Sequence, residues 1–272
     1  MTTTTPTALD TPYDLAPERI AAFERDGFVQ LGGVLDPSVV AGYEPEITAK
    51  VIELNTMHLP MAEGSTYNKA FLQVGNLWQH SERVRELVYS RRLARIAAEL
   101  LGVDGVRLYH DQALYKEPGG GITPWHADQY YWPLANDRCC TIWLPLQETP
   151  LEMGPLEFAA GSHRFEYGRD LPISDESEAA LQVALAEQDL PVVNEPFALG
   201  DASFHLGWTF HHAGPNTAAD PRRVMTVIYI DADMVAAEPV NEHQVGNLAA
   251  SLPGVRPGEV AASPLNPVLY RR

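Results

Sequence analysis

A histidine and an aspartate stand two residues apart in the stretch TPWHADQYYW, residues 123–132. The stretch follows three glycines that end an alternating, strand-like segment. At a strand end, side chains at i and i+2 point to one face, so His126 and Asp128 could hold the same ion. Two histidines and one carboxylate, with open coordination positions, are the ligands of non-haem Fe(II) oxygenases. Alone the pair is a weak motif, because a surface turn can carry the same two residues.

The segment GDASFHLGWTFHHAGPNTAADPRRVMTVIYI could supply the rest of such a site. It contains three histidines, and Arg222 and Arg223 open its β-branched strand. A buried arginine binds a carboxylate through two parallel hydrogen bonds. A dicarboxylic 2-oxo acid could therefore chelate iron at one end and meet an arginine at the other. The competing interpretation is that these residues cap and stabilise loops.

Composition limits the possible partners. The chain has 272 residues, with 36 acidic against 19 basic side chains and a formal net charge of −17. This balance argues against binding to nucleic acid or to an anionic membrane surface, both of which attract positive charge. The only cysteines, Cys139 and Cys140, are adjacent and form no disulfide framework, which indicates a reducing cytoplasm. No signal peptide or membrane-length apolar run is evident.

The first part of the chain is predicted to be helical. Residues 1–14 are expected to be a disordered lead-in, and residues 15–272 a single domain. Helical spacing of apolar residues runs to about Gly102, strongest in SERVRELVYSRRLARIAAELLG, which is predicted as one helix capped by Ser81. The segment SVVAGYEPEITAKVIEL is predicted to be a helix interrupted at Pro45.

Short strands separated by Pro, Gly and Asn are predicted over about 103–232, with one acidic helix, SDESEAALQVALAEQ, between them. The tail from Ala236 on is expected to wrap the surface. Helices followed by many strands predict an α+β, mainly β fold, in which N-terminal helices flank a jelly roll. A jelly roll can hold a small molecule in its mouth.

Four segments resemble one known family, and the likeness covers about residues 18–232. They are FERDGFVQLGGVLD, LYHDQALYKEPGGGITPWHADQYYWP, GPLEFAAGSH and HHAGPNTAADPRR. They look like the phytanoyl-CoA dioxygenase family of 2-oxoglutarate-dependent Fe(II) oxygenases. The resemblance implies a double-stranded β-helix, which is a cupin-like jelly roll. It also implies Fe(II) as cofactor and 2-oxoglutarate and O2 as cosubstrates.

The resemblance places the metal ligands on His126, Asp128 and His211. The third ligand is matched through the family's spacing from a distal histidine to an asparagine. His212 is the alternative, since adjacent strand residues face opposite ways and only one can coordinate. His205 is expected to be structural. No catalytic residue is predicted beyond the metal ligands.

The resemblance also implies groups that bind 2-oxoglutarate. The family's arginine stands eleven residues after the distal histidine, which corresponds to Arg222. Arg223 is the alternative, because both faces of the strand that follows are apolar. Gln112 and Trp143 match further positions that contact 2-oxoglutarate, although Trp143 could equally be a core residue.

The implied activity is oxidation of an unactivated C–H bond of a small organic molecule, expected to be a specialised-metabolite intermediate. In related halogenases a small residue replaces the carboxylate ligand, so Asp128 predicts hydroxylation or a similar oxidation. Tyr130, Tyr131 and Trp132 follow the ligands and are candidate substrate contacts, although they could instead hold the loop to the core. The chain is expected to be a monomer or homodimer. The alternatives are a cupin-type protein that binds metal or ligand without oxidation, and a cupin isomerase or lyase.

Overall fold

The computed structural model describes residues 7–55 and 72–272. The described residues form six α-helices, which are α1 (Pro17–Asp26), α2 (Pro37–Leu54), α3 (Glu82–Val88), α4 (Arg91–Leu101), α5 (Asp175–Glu187) and α6 (Glu242–Ser251). They form eleven strands, which are β1 (Phe28–Leu31), β2 (Leu72–Gly75), β3 (Gly105–Lys116), β4 (Thr123–His126), β5 (Cys139–Pro145), β6 (Leu156–Ala159), β7 (Val192–Asn194), β8 (Ala202–Leu206), β9 (His211–Ala213), β10 (Arg222–Asp231) and β11 (Val268–Arg271).

The strands form two antiparallel sheets. The larger has the order β1-β8-β5-β10-β3-β11, with β2 also paired to β3, and the smaller has the order β4-β9-β6-β7. Their facing sides are joined by an apolar cluster in which Phe28 of the larger sheet stacks on Phe158 of the smaller at 4.4 Å. The mainly β architecture with N-terminal helices is the one predicted from the sequence.

Both faces of β10 are apolar because each packs against a different layer of the protein. Met225, Val227 and Tyr229 belong to the core between the larger sheet and the N-terminal helices. Val224 lies in the cluster between the two sheets. A strand covered on both sides loses the alternation of polar and apolar residues, which is why the pattern could not orient the arginines.

The segment predicted as one helix over 81–101 forms two, so that prediction is wrong. Ser81 caps α3 as expected, but Ser90 begins a second helix by accepting a hydrogen bond from the amide of Leu93. The Ser90 hydroxyl also donates to the carbonyl of Leu9 at 3.0 Å. Gly102 ends α4 at a φ of 65°, as predicted.

The expected disordered lead-in is ordered from Thr7 onward. Leu9 is buried, and its carbonyl accepts hydrogen bonds from the Ser90 hydroxyl and the amide of Arg92. The Arg92 guanidinium donates to the carbonyl of Thr11. The residues at the break between α3 and α4 therefore bind the backbone of the N-terminal segment. Residues 1–6 lie outside the described residues.

Helix α2 continues through Pro45, where an interruption was predicted. Proline lacks an amide hydrogen and removes one hydrogen bond from the helix. Val40, Tyr43, Ile47 and Val51 bury the same helix face on both sides of the proline. Their burial outweighs that loss. The predicted acidic helix is α5, which starts at a capping box formed by Ser174, its N-cap residue, and Ser177 in its first turn.

The C-terminal tail adds regular structure where a surface wrap was expected. Strand β11 extends the larger sheet beside β3. The buried Asn266 amide donates to the carbonyls of Leu108, Tyr109 and Ser251 at 3.1, 3.1 and 3.0 Å. These bonds fix the C-terminal end of α6 against β3. The tail is thus part of the domain that surrounds the site.

Candidate metal centre

His126 and Asp128 lie where β4 gives way to a 3-10 turn. His126 is the last residue of β4, and Asp128 opens the turn Asp128–Tyr131. Across the smaller sheet His126 pairs with His211 of β9. The register therefore brings the distal histidine opposite the His-x-Asp segment, although more than eighty residues separate them in the chain.

The three side chains converge on one point. One ligand atom from each of His126, Asp128 and His211 lies within 4.8 Å of the others. Asp128 Oδ1 is 3.7 Å from His126 Nε2 and 3.8 Å from His211 Nε2. Two imidazole nitrogens and one carboxylate oxygen suit Fe(II), and this set leaves the remaining positions open for a cosubstrate.

Hydrogen bonds orient both imidazoles. His126 Nδ1 lies 2.7 Å from the carbonyl of Pro124, and His211 Nδ1 lies 3.0 Å from the carbonyl of Thr209. A carbonyl accepts only from a protonated nitrogen, so each Nδ1 carries the hydrogen and each Nε2 is free to bind metal. This backbone support of ligating histidines is typical of metal sites.

The electrostatics favour the protonation states that ligands need. Burial would raise the pKa of Asp128, but His211, His205 and His126 together hold it well below its ordinary value. Burial, with smaller contributions from His126 and His205, lowers the pKa of His211, and burial lowers that of His126. The carboxylate is therefore anionic and the two imidazoles neutral, as metal binding requires.

His205 takes part in the site, which the sequence interpretation missed. Its Nε2 lies 3.3 Å from Asp128 Oδ2, and the Thr141 hydroxyl donates to the same oxygen at 3.0 Å. Thr141 and His205 are register partners on β5 and β8. These contacts occupy Oδ2 and leave Oδ1 to face the other ligands. The available signal was that polar and apolar residues alternate along β8, which places His205 on the polar face of the strand. Nothing in the sequence identified Asp128 as the residue that His205 contacts.

The other candidate for the third ligand lies outside the cluster. His212 Nε2 is 3.1 Å from Glu157 Oε2, and the ring stacks on Trp125 at 4.1 Å. His211 and His212 face opposite sides of β9, as adjacent strand residues do. The geometry thus places His211 with the other ligands and His212 on the outer side of the smaller sheet.

The two arginines also face opposite ways. Arg222 is buried and lines the cavity beside the triad. Arg223 points to the helical side, where Nη1 lies 3.5 Å from Glu44 Oε1 of α2. Arg222 has no carboxylate within ion-pair distance among residues 7–55 and 72–272. A buried guanidinium without a counter-ion is suited to an anionic ligand.

Only part of the Arg222 guanidinium has a hydrogen-bond partner among the described residues. Nη1 donates to the carbonyl of Gly154, whereas the buried Nε has no hydrogen-bond partner among the described residues. Gly154 has a φ of +63° and lies so close to Gly214 that a side chain would collide with it. Burial lowers the pKa of Arg222 to about 9, so the side chain is still charged at neutral pH.

Gln112 and Trp143 both line the same cavity. Gln112 lies on β3, and its Nε2 is 3.3 Å from Nδ1 of His110. Trp143 is buried on β5 under the Arg222 guanidinium, at 5.4 Å from the ring centroid. Its indole Nε1 is buried without a hydrogen-bond partner in the part of the chain described. The ring therefore has both a core contact and a face toward the cavity.

The three aromatic residues after the ligands differ in position. Tyr131 and Trp132 line the cavity. Tyr130 packs edge-on against Tyr131 and faces His243 at a centroid distance of 5.8 Å.

The cavity itself has a volume of about 490 Å³, within the range of small-molecule sites. In the described part of the chain, no helix is long and apolar enough to cross a membrane.

Comparisons with known proteins show the family to which the chain is related. The model of the family described as Phytanoyl-CoA dioxygenase (PhyH) matches residues 23–224. A probable alpha-ketoglutarate-dependent hypophosphite dioxygenase from Stutzerimonas stutzeri is 26% identical over 61% of this chain. That match spans 59% of the relative's own length.

Two solved structures cover nearly the whole chain. The non-heme alpha-ketoglutarate-dependent carbocyclase SnoK from nogalamycin biosynthesis is 25% identical, with a TM-score of 0.78 over 97% of this chain and 99% of that one. The epimerase SnoN, in complex with Fe3+, alpha-ketoglutarate and nogalamycin RO, is 28% identical. Its TM-score is 0.77 over 93% of this chain and 98% of that one. The predicted cupin-type fold is thereby confirmed.

Proposed function

The chain belongs to the phytanoyl-CoA dioxygenase family, and on that premise we propose that it oxidises an unactivated C–H bond of a small organic molecule. The protein is a non-haem Fe(II)/2-oxoglutarate-dependent dioxygenase, as predicted. The alternatives of a non-oxidative cupin-type protein and of a cupin isomerase or lyase that works without O2 are set aside, because the chain belongs to a dioxygenase family and its solved relatives named above use alpha-ketoglutarate. The expected cytoplasmic location and the monomeric or dimeric state stay predictions.

His126, Asp128 and His211 are proposed to hold the iron. The observation that carries the proposal is the convergence of their ligand atoms within 4.8 Å, with both histidine Nδ1 atoms engaged by carbonyls. Iron with 2-oxoglutarate and O2 supplies oxidation of a C–H bond to C–OH, with 2-oxoglutarate converted to succinate and CO2. The protein residues position the reactants and exclude water from them.

Arg222 is proposed to bind the distal carboxylate of 2-oxoglutarate. Its free Nε and its charge, which has no counter-ion among the described residues, support this role. The Trp143 ring lies beneath the Arg222 guanidinium, and Gln112, on the neighbouring strand, contributes a side-chain amide to the cavity lining. These two are proposed as further 2-oxoglutarate contacts. The planar guanidinium of arginine matches the geometry of a carboxylate better than the ammonium group of a lysine does.

Asp128 supports hydroxylation or a related oxidation over halogenation. With iron bound, Asp128 Oδ1 would fill a coordination position that a small residue would leave to a halide, and Thr141 and His205 hold the carboxylate through its other oxygen. The substrate is proposed to be a specialised-metabolite intermediate, in line with the named roles of the solved relatives in nogalamycin biosynthesis.

A screen for succinate release tests the proposal. Purified protein with Fe(II), 2-oxoglutarate and O2 is incubated with candidate metabolites, and products are analysed by mass spectrometry. We expect succinate formation that depends on both O2 and a metabolite, together with a product that has gained oxygen or lost hydrogen. Asp128→Ala serves as the matched inactive control. Succinate formation that is unchanged in this control or under anaerobic conditions would contradict the proposal.

A further inference from the structure

The cavity extends well beyond the place proposed for 2-oxoglutarate. Arg222, Thr226 and Ile228 of β10 line it on one face of the strand. A rise of about 3.4 Å per residue puts Arg222 and Ile228 roughly 20 Å apart along the wall. A short dicarboxylic acid between the metal ligands and Arg222 occupies one end of this length. The end at Ile228 is left for a second molecule.

Helix α6 closes the end of the cavity at Ile228 with polar side chains. His243, Asn247 and Ser251 are spaced four residues apart, so they share one helix face, and all three line the cavity. We call these three residues the polar stripe of α6. Each can donate or accept hydrogen bonds.

The polar stripe is held at a fixed position relative to the metal ligands. Gln244 Nε2 donates to the carbonyl of Tyr130 at 3.0 Å, and Tyr130 lies in the turn that Asp128 opens. The Asn241 side chain caps the helix by accepting from the amide of Gln244 at 2.9 Å. Asn266 holds the other end through the carbonyl of Ser251.

Aromatic surfaces lie beside the polar stripe. The Tyr131 hydroxyl accepts a hydrogen bond from the amide of Ile173 at 2.8 Å, and its ring meets His243 edge-on at 5.2 Å. Trp132 is buried and meets His110 edge-on at 6.2 Å. Both aromatic rings are therefore fixed, and both line the cavity, where a ring-bearing ligand could pack against them.

The charge of the lining indicates the charge of the ligand. Among the described residues that line the cavity, Asp128 and Arg222 are the only carboxylate and the only guanidinium or ammonium side chain. Both are already assigned to iron and to 2-oxoglutarate. Burial lowers the pKa of His110 to about 4, so this imidazole is neutral at physiological pH. A charged substrate group would lose its hydration here without gaining a counter-ion from these residues.

We infer that the substrate of this dioxygenase is an uncharged, ring-bearing molecule with hydroxyl or carbonyl groups, bound between the polar stripe of α6 and the rings of Tyr131 and Trp132. The inference rests on the proposed function and names the substrate class of the same site. An acyl-CoA thioester, with its phosphate groups, does not fit this lining. A rigid ring also loses little conformational entropy when it binds fixed aromatic groups.

Matched ligands of different charge test the substrate class. Anaerobic protein with Fe(II) and saturating 2-oxoglutarate is titrated with para-hydroxyacetophenone, para-hydroxybenzoate, para-hydroxyphenyl phosphate and tyramine, and with two- and three-ring compounds in the same four charge classes. Binding is followed by calorimetry and by the visible charge-transfer absorption of the iron chelate. We expect uncharged compounds to bind at least tenfold more tightly than their charged counterparts. Equal or tighter binding of any charged class, or no binding of uncharged compounds, overturns the inference.

Variants of α6 locate the ligand. Asn247→Leu and His243→Leu each remove one hydrogen-bonding side chain from the polar stripe, so the Kd of an uncharged ligand should rise about threefold to tenfold. Val245→Ala, on the exposed side of α6, is the matched control and should leave the Kd unchanged. His243 is exposed at the cavity mouth, so His243→Leu is not expected to disturb folding. Unchanged Kd values in both stripe variants contradict the inference.

The two proposals fail in different ways. The charge-transfer absorption depends on the metal ligands and 2-oxoglutarate, so the α6 variants should retain it in full. If the unmodified protein lacks this absorption, the proposed function fails. If the absorption is present and charged ligands bind best, only the substrate class is wrong.

Discussion

Replacement of Arg222 by methionine should weaken 2-oxoglutarate binding and, at the same time, stabilise the protein without ligand. Arg222 is 2% exposed, and its guanidinium has no counter-ion among the described residues. Removing the arginine partner of a buried carboxylate typically costs about 3–5 kcal/mol. The Kd of 2-oxoglutarate should therefore rise by roughly a hundredfold to a few thousandfold.

The effect on stability has the opposite sign. Burial lowers the pKa of Arg222 from 12.5 to about 9, which corresponds to a desolvation cost on the order of 5 kcal/mol in the folded state. Methionine removes this cost but leaves the carbonyl of Gly154 without its donor, a loss of about 1–3 kcal/mol. The free energy of unfolding should rise by about 2–4 kcal/mol, and the Tm of the ligand-free variant by several degrees.

Thermal melts with and without 2-oxoglutarate measure both effects. The unmodified protein should gain stability with added 2-oxoglutarate, and Arg222→Met should not. Arg223→Met is the control on the same strand, because Arg223 pairs with Glu44 on the helical side and should not affect the Kd of 2-oxoglutarate. A lower Tm together with a Kd within threefold of the unmodified value would show that Arg222 is a structural residue and not a carboxylate clamp.

Three further predictions concern groups around the site. His211→Ala should abolish Fe(II) binding in equilibrium dialysis, whereas His212→Ala should retain it; retention in the first variant would remove His211 from the ligand set. Thr141→Val and His205→Phe each remove one of the two contacts that hold Asp128 Oδ2, so Fe(II) affinity should fall about tenfold to a hundredfold without loss of fold by circular dichroism; an unchanged affinity would show that these contacts do not orient the ligand. Burial raises the pKa of Asp111 from 3.8 to about 7, so the folded protein holds a proton that the unfolded chain releases, and stability from this group falls as pH rises from about 4 to 7. Asp111→Asn should flatten that part of the Tm–pH curve, and an identical slope in the variant would contradict the assignment.

The sequence supplied candidate metal ligands but not the residues that contact them. His126, Asp128 and His211 could be named as candidate ligands because the segments that contain them resemble the motifs of a known family, whose spacing favoured His211 over His212. His205 could not be placed, because its contact with Asp128 depends on the pairing of β5 with β8, which no local pattern encodes. Pairing between distant strands is decided by the whole sheet.

The choice between Arg222 and Arg223 needed tertiary structure. Both faces of β10 are apolar, because N-terminal helices cover one and the second sheet covers the other, so the pattern could not separate Arg222 from Arg223. The break at Ser90 was missed because apolar spacing continues across it, and only the capping hydrogen bond to Leu93 reveals two helices. The tail showed no helical periodicity strong enough to suggest that α6 lines the cavity.

The anaerobic absorption spectrum after addition of Fe(II) and 2-oxoglutarate tests the central claim most directly. The chelate of Fe(II) with a 2-oxo acid absorbs weakly in the visible range, and the protein should develop this absorption in a one-to-one titration. His126→Ala and Asp128→Ala should not develop it, because each removes one of three converging ligand atoms. An unmodified protein without the absorption, or variants that retain it in full, would contradict the assignment of these residues as the iron site.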